Sequence, residues 1–372
     1  GNFGVTTMQI LVPLSMTFAM FGGESMTLQN ASGTLIGKIP AGTETYLQNA
    51  GFVWLLFLIP LAFAGWFGMN NIRDEHVSPN IGNPLTSFGI ISFMLLIALF
   101  TAGSGLWLML PETANGSGFN VPKEIVLLLV VIATVGLLKL IPGEVGDNLN
   151  RQYQIFKNTH TWVMTVIYTM TFGSFIGYAA TFALAIKVVF GYQHVKVDGV
   201  MTHDLINPNG PSALMYAWMG AFIGALIRPV GGQIADKIGG AKVTQIISVV
   251  MLISALGVAY YLKLAYSSAT PEEYFVPFLL LFLVLFAAPG IGNGSTFRTI
   301  SQVFNKEQAG PVLGWTSAIA AYGAFYIPKV FGEQIKATTP EDALFGFAAF
   351  YFVCILINWW FYLRKDAEFY NP

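Results

Sequence analysis

One arginine stands where arginines are expensive. Arg228 lies in Ala221-Phe-Ile-Gly-Ala-Leu-Ile-Arg228-Pro-Val-Gly-Gly232, inside a long apolar run. A guanidinium at the centre of a bilayer costs at least about 2.5 kcal/mol unless an anion or water meets it. The nineteen Asp and Glu residues all fall between the apolar runs or at their ends, so the sequence offers Arg228 no carboxylate at the same depth. Two readings follow. A bound anion supplies the missing charge, since the planar fork of arginine donates two parallel hydrogen bonds to a planar oxyanion. Alternatively, the side chain extends along the helix to reach an interface. Position alone leaves both open. Arg298, close to the end of another apolar run, reads as an interface anchor.

Aromatic spacing is the second signal. Tyr168 and Phe172 are four residues apart and share a helix face, and Tyr322 and Tyr326 repeat the spacing. Such rings could sandwich a flat anion and exclude water, or simply pack against lipid and other helices. Glycines are the third. Gly173-Ser-Phe-Ile-Gly177, Gly220-Ala-Phe-Ile-Gly224 and Gly290-Ile-Gly-Asn-Gly294 carry small residues about one turn apart, the spacing that lets helix backbones approach closely in a membrane. Gly290-Ile-Gly-Asn-Gly-Ser295 resembles a nucleotide loop only by letters, for it lacks a preceding strand and a lysine.

Other chemistries find little support. The single cysteine, Cys354, sits in an apolar run with no second thiol for a disulfide or a metal, and reads as packing. His160 precedes Trp162 at a helix start and suits an interfacial hydrogen bond. His76, His194 and His203 are scattered without metal-ligand spacing. Nothing at membrane depth resembles a hydrolytic cluster, a haem-ligating histidine pair, a sodium site or an acidic proton relay. No enzyme activity and no cofactor are therefore expected. The net charge of -1 gives no footprint for nucleic acid.

These residues must be positioned by membrane helices. The chain has 372 residues, 55% hydrophobic and 10% charged, whereas a soluble domain is roughly a quarter charged. Ten runs approach the ~20 apolar residues needed to cross the hydrocarbon core: about 1–21, 50–69, 87–110, 124–141, 161–189, 212–234, 243–264, 275–304, 312–331 and 343–363. Continuous apolarity without alternation selects helices over barrel strands. Turn signals such as Pro40-Ala-Gly42, residues 79–84, Pro142-Gly143 and Asn207-Pro-Asn-Gly-Pro211 separate them. One set of connections carries Arg73, Arg151, Lys157, Lys237, Lys242, Lys306, Arg364 and Lys365, and the other Lys38, Lys123, Lys187, Lys196, Lys263, Lys329 and Lys336. The arginines favour the first set, and Trp359-Trp360 precedes Arg364-Lys365 as an interfacial pair. That face, with the C-terminus, is expected in the cytoplasm of a multi-pass inner-membrane protein. The chain opens Gly1-Asn-Phe-Gly without Met and is expected to begin inside a helix that runs outward.

The segment Gly231-Gly-Gln-Ile-Ala-Asp236-Lys237-Ile-Gly-Gly240 resembles the gating loop G-x-x-x-D-R/K-x-G-G of the major facilitator superfamily. The resemblance makes Asp236, Lys237 and Gly240 parts of a charge clasp at the cytoplasmic gate. Within that superfamily the chain resembles the nitrate/nitrite porters of the NarK type. The matching stretches are Gly1-Asn-Phe-Gly-Val5 through Gln9, Thr171-Phe-Gly-Ser-Phe-Ile-Gly177, Phe222 through Gly240, Gly290 through Phe297 and Leu313-Gly-Trp-Thr-Ser317 through Lys329, in the family's order. The chain departs from the second nitrate signature at Ala320 and Ala324, where glycine is expected, and at Tyr322, where a smaller aliphatic is expected.

The resemblance implies an all-α major facilitator bundle containing helices five to twelve of that fold, with two extra transmembrane helices. Residues 1–69 would close the N-terminal half, 70–160 would form the central connection with the extra helices, and 161–372 would form the C-terminal six-helix half. It also implies a substrate site: Arg228 as anion clamp, Tyr168 as hydrogen-bond donor, Phe172 as ring wall, and Gly314 with Ser317 facing them. The partners implied are nitrate, nitrite and the lipid bilayer, with the protein acting as a monomer. The expected mechanism is nitrate/nitrite antiport by alternating access. An uncompensated arginine hinders return of the empty carrier. Nitrate/proton symport, or carriage of another small anion such as formate, is the alternative.

Overall fold

The computed structural model describes residues 2–19, 23–28, 32–34, 37–69, 83–111 and 118–372. Gly1, Arg73, His76 and the turn residues 79–82 lie outside them. The described chain is dominated by helices: α1 Asn2–Ser15, α2 Asn49–Gly68, α3 Pro84–Met109, α4 Lys123–Leu138, α5 Gly143–Gln152, α6 Thr159–Phe190, α7 Ala213–Ile238, α8 Gly240–Ala265, α9 Pro271–Val303, α10 Lys306–Ala321, α11 Gly323–Ala337 and α12 Glu341–Leu363. The chain falls into two compact units by contact, one of residues 1–69 and 159–372 and one of residues 70–158.

Seven helices among the described residues are long and apolar enough to span a membrane: α2, α3, α6, α7, α8, α9 and α12. The protein is thus an all-α, multi-pass membrane protein, as its sequence required. The other three apolar runs take shorter forms. The first is α1, helical as far as Ser15. The run at 124–141 becomes the sixteen-residue α4. The run at 312–331 is divided at Tyr322, whose N–H reaches back three residues to the Ile319 carbonyl and tightens the chain between α10 and α11.

Local sequence explains the helix boundaries. The Asn83 side chain caps α3 by accepting from the Leu85 N–H, with Pro84 at the first helical position. Asn305 caps α10 by accepting from Gln308 N–H at 2.9 Å. The segment expected to be a gating loop is helix as far as Ile238, and the direction changes at Gly239, whose φ of +96° favours glycine. Asp236 and Lys237 therefore occupy the last turn of α7, and Gly240 opens α8.

Three small antiparallel pairs accompany the helices: β1 (Met26–Thr27) with β4 (Glu44–Thr45), β2 (Ser32–Thr34) with β3 (Gly37–Ile39), and β5 (Tyr192–Val197) with β6 (Val200–Ile206). The β5–β6 hairpin turns at Asp198-Gly199, both with positive φ, as a two-residue turn of this hand requires.

The core of the larger unit is a zipper of rings. Phe175, Tyr178, Phe182 and Phe190 of α6 meet Phe275, Phe278, Phe282 and Phe286 of α9, with centroids as close as 4.6 Å for Phe182–Phe282 and 4.7 Å for Phe190–Phe278. Glycines set the helix spacing beside it. A Cβ on Gly290 would stand 2.5 Å from the Gly224 carbonyl, and one on Gly231 2.4 Å from the Ile291 carbonyl. The backbones of α7 and α9 thus touch, the use expected from the glycine spacing. The same occurs where Gly323, at the start of α11, meets the Gly173 carbonyl of α6.

Candidate anion site

Three helices bring Tyr168, Phe172, Arg228 and Ser317 together, and a fourth adds a ring. On α6, Tyr168 and Phe172 stack with centroids 5.4 Å apart and planes at 11°. The turn Thr169–Gly173 between and beneath them is a π-helical turn, a local widening often found at functional positions. Tyr168 is 1% exposed and lies close enough to interact with both the Arg228 guanidinium of α7 and the Ser317 hydroxyl of α10. From α9, Phe297 completes the cluster: its ring lies 5.4 Å from that of Tyr168, and the Arg228 guanidinium carbon stands 4.7 Å from its centroid.

The electrostatics follow from what surrounds the guanidinium. Among the described residues Arg228 makes no ion pair. Beside it stand the Tyr168 phenol and the Phe297 ring face, each of which tolerates a cation without neutralising it. Pro229, the next residue, lacks an N–H, so the carbonyl of Ala225 loses its helical donor. A partly enclosed guanidinium beside neutral donors is suited to a small anion. Gly314 is open: a Cβ there would have no neighbour within 4 Å. It sits three residues before Ser317 on α10 and is exposed.

Sequence reasoning did not single out Phe297. A phenylalanine in a membrane helix reads as packing, and its only signal was its place in the Gly290–Phe297 stretch. Tyr322 and Tyr326, which share the spacing of Tyr168 and Phe172, straddle the start of α11.

The last turn of α7, about two turns beyond Arg228, holds a second group of charges. Arg298 Nε donates to Asp236 Oδ1 at 3.3 Å. Arg298, expected as an interface anchor, is thus tied to the carboxylate expected to work the gate. Lys237 is exposed and has no ion pair among the described residues. Gly240 is pinned: its N–H donates to the Pro372 carbonyl at 2.6 Å, and a Cβ would meet Thr299 Oγ1 at 2.3 Å. Asn371 reinforces the junction, accepting from Lys242 N–H at 3.0 Å and donating to the Ile238 carbonyl at 2.8 Å. His160 does more than anchor an interface. Its Nδ1 lies 3.1 Å from the Tyr362 hydroxyl and its Nε2 3.1 Å from Glu368 Oε2, so it binds the start of α6 to the C-terminal segment.

Known proteins with similar sequences decide the relationship. A probable nitrate/nitrite antiporter, NarK2, of Thermus thermophilus is 30% identical over 369 residues, which is 99% of this chain and 62% of that protein. The nitrate/nitrite transporters NarU of Salmonella typhimurium and Escherichia coli are 29% and 28% identical, over 99% and 98% of this chain and 63% and 62% of their own lengths. The chain is a homologue of the NarK and NarU transporters.

It spans under two thirds of the length of these relatives. They are transporters and not enzymes, in keeping with the absence of a hydrolytic or redox cluster in the sequence. No protein-family model matches the chain. Among solved structures, an auto-inhibited peptide transporter of the POT family aligns with all of this chain and 70% of its own, at 13% identity and a TM-score of 0.48.

Proposed function

We propose that the protein carries nitrate and nitrite across the inner membrane, exchanging one for the other by alternating access of a major facilitator bundle. The observation that carries this reading is the Arg228 guanidinium, which makes no ion pair among the described residues, is held beside Tyr168 and stacks on Phe297, with Ser317 meeting the same Tyr168 hydroxyl. Its relatives' names supply the anion, and the Thermus relative is named an antiporter.

In this reading the fork of Arg228 donates two hydrogen bonds to two oxygens of the planar anion. Tyr168 donates a third from its hydroxyl and Ser317 a fourth. Phe172 and Phe297 flank the anion with apolar faces that keep water out, and Gly314 leaves room beside Ser317. Dehydrating a lone arginine is costly, so the empty carrier reorients slowly and the loaded one quickly. That asymmetry favours exchange over net uptake. Asp236 and Arg298 form a clasp between the ends of α7 and α9, beside Lys237 and the tightly packed Gly240. It opens in one state and closes in the other. Residues 1–69 close the N-terminal half, 70–160 form the central connection with its extra helices, and 161–372 form the C-terminal half. The protein acts as a monomer, with its C-terminus in the cytoplasm.

The arginine tests the reading. Lysine keeps the charge but loses the planar fork. Arg228→Lys is expected to weaken saturable binding of labelled nitrate by about tenfold or more, since a charge-assisted hydrogen bond is worth ~1.5–3 kcal/mol. Wild-type binding in that variant would return Arg228 to an interfacial role.

A further inference from the structure

A fully buried amide on α9 is not used by the site just described. Asn293 of α9 is 0% exposed, and neither its amide nitrogen nor its amide oxygen reaches a hydrogen-bond partner among the described residues. A buried amide without a partner costs ~1–3 kcal/mol, and apolar residues of similar size were open to this helix position. The amide is therefore costly to keep unless something binds it at another point of the protein's cycle.

Its place on α9 points to what that is. Phe286, Gly290, Asn293 and Phe297 follow at steps of four, three and four residues and share one helix face. Each of Asn293's companions on that face meets a residue near the anion path. Phe286 packs on Phe175 and Tyr178 of α6. Gly290 touches Gly224 and Ile227 of α7. Phe297 lies under Arg228 and beside Tyr168. Asn293 stands between the last two levels, about one turn of ~5 Å from Phe297, on the side away from the Asp236–Arg298 pair. Its neighbours Gly292 and Gly294 are occupied by close contacts: a Cβ on the former would meet Thr171, and one on the latter the Arg228 carbonyl. The face bearing the amide is thus wedged between α6 and α7 at the level of the cluster.

We infer that Asn293 is a second hydrogen-bonding ligand of the transported oxyanion, one helical turn from the Arg228 site and farther from the Asp236–Arg298 end. The inference rests on the proposed nitrate and nitrite carriage. The amide N–H2 donates to an anion oxygen as the anion leaves the guanidinium, so the charge is never stranded between arginine and the exit. The amide oxygen accepts from water that travels with the anion. A neutral amide serves this role better than a second cation, because it releases the anion it receives. An acidic residue would repel it.

The test compares wild type, Arg228→Lys, Asn293→Leu and Asn293→Ala in proteoliposomes. It reads labelled-nitrate half-saturation and maximal rate, with melting of each purified variant measured without nitrate. Asn293→Leu is expected to melt at or above the wild-type temperature, because an unsatisfied amide has been removed. Its half-saturation concentration should rise about tenfold, the loss of one hydrogen bond to a charged group. Asn293→Ala supplies the same comparison if leucine does not fit. Wild-type half-saturation in a folded Asn293 variant overturns the inference, as does lowered melting with unchanged half-saturation, which marks a structural amide. If Arg228→Lys loses nitrate while the Asn293 variants keep it, this inference fails and the transport reading stands. If the wild type shows no saturable nitrate uptake, both fail.

Discussion

Arg228 and Arg298 lie on neighbouring helices and meet opposite kinds of partner. Arg298 has a carboxylate, Asp236, whose side chain is 72% exposed. An ion pair that open to water contributes less than ~1 kcal/mol to stability. Asp236→Asn should therefore leave the melting temperature within a few degrees of wild type while altering transport rate, if the pair works as a clasp. A large loss of melting temperature would mark it as structural. Arg228 has a ring instead, and Phe297→Leu tests what that ring does. Removing the aromatic face should cost ~0.5–2 kcal/mol of guanidinium placement and raise nitrate half-saturation by a few-fold with little change in folding; an unchanged value would make Phe297 a packing residue. At this scale the sequence was legible where types clash with their surroundings. An arginine in an apolar run and two rings four apart were visible, and the structure joins them with Ser317. Phe297 was not, because a ring in a membrane helix is ordinary. Nor was the Asp236–Arg298 pairing, since it depends on how two helices sixty residues apart cross.

Backbone proximity governs the elements. Gly231 and Gly232 are adjacent on α7 but meet different surroundings. A Cβ at Gly231 would lie 2.4 Å from the Ile291 carbonyl, whereas one at Gly232 meets nothing within 4 Å. Gly231→Ala should push α7 from α9 and cost ~1–3 kcal/mol, read as a lower melting temperature; Gly232→Ala should be neutral or mildly stabilising through helix propensity. Equal effects would contradict the seam. The β5–β6 hairpin gives a pH prediction. His194 Nδ1 and His203 Nδ1 are 2.7 Å apart, and His194 Nε2 donates to the Val189 carbonyl at 2.7 Å. That contact accepts only one proton between the rings. Tyr266 packs on both imidazoles, and Asp204 lies beside His203. Burial holds both histidines below their ordinary value, against the raising effects of the Val189 carbonyl on one and Asp204 on the other. The folded hairpin thus prefers neutral rings. Its stability is full above the unfolded histidine pKa of ~6.5 and declines as pH falls below that. Protection factors of the Tyr192–Ile206 amides, taken relative to the intrinsic exchange rate at each pH, should fall between pH 7.5 and pH 5, and His203→Gln should reduce that fall; pH-independent protection would contradict it. The helices were readable from continuous apolarity, but this hairpin was not anticipated. Its signal, Asp198-Gly199, lay in a polar connection between spans. The division at Tyr322 was equally hidden, because it lies where Gly323 meets the Gly173 carbonyl of α6, a contact between segments far apart in sequence.

For the whole molecule, composition left few choices: with 55% hydrophobic residues in 372, membrane helices were required. Seven spans meet that expectation among the described residues. The runs at the start, at 124–141 and around Tyr322 are shorter than their apolar letters implied, since apolarity marks where lipid or protein can be met and not where a helix must continue. The two compact units divide near residues 69 and 158. What moves, and with which co-substrate, depends on how a charged site changes sides, a property that no run of letters encodes. It is measured directly by loading proteoliposomes with nitrite and following uptake of labelled nitrate, with and without a proton gradient. Exchange predicts uptake that requires internal nitrite, ignores the gradient and disappears in Arg228→Lys. Uptake that follows the proton gradient with no nitrite inside would contradict exchange and establish proton-coupled entry instead.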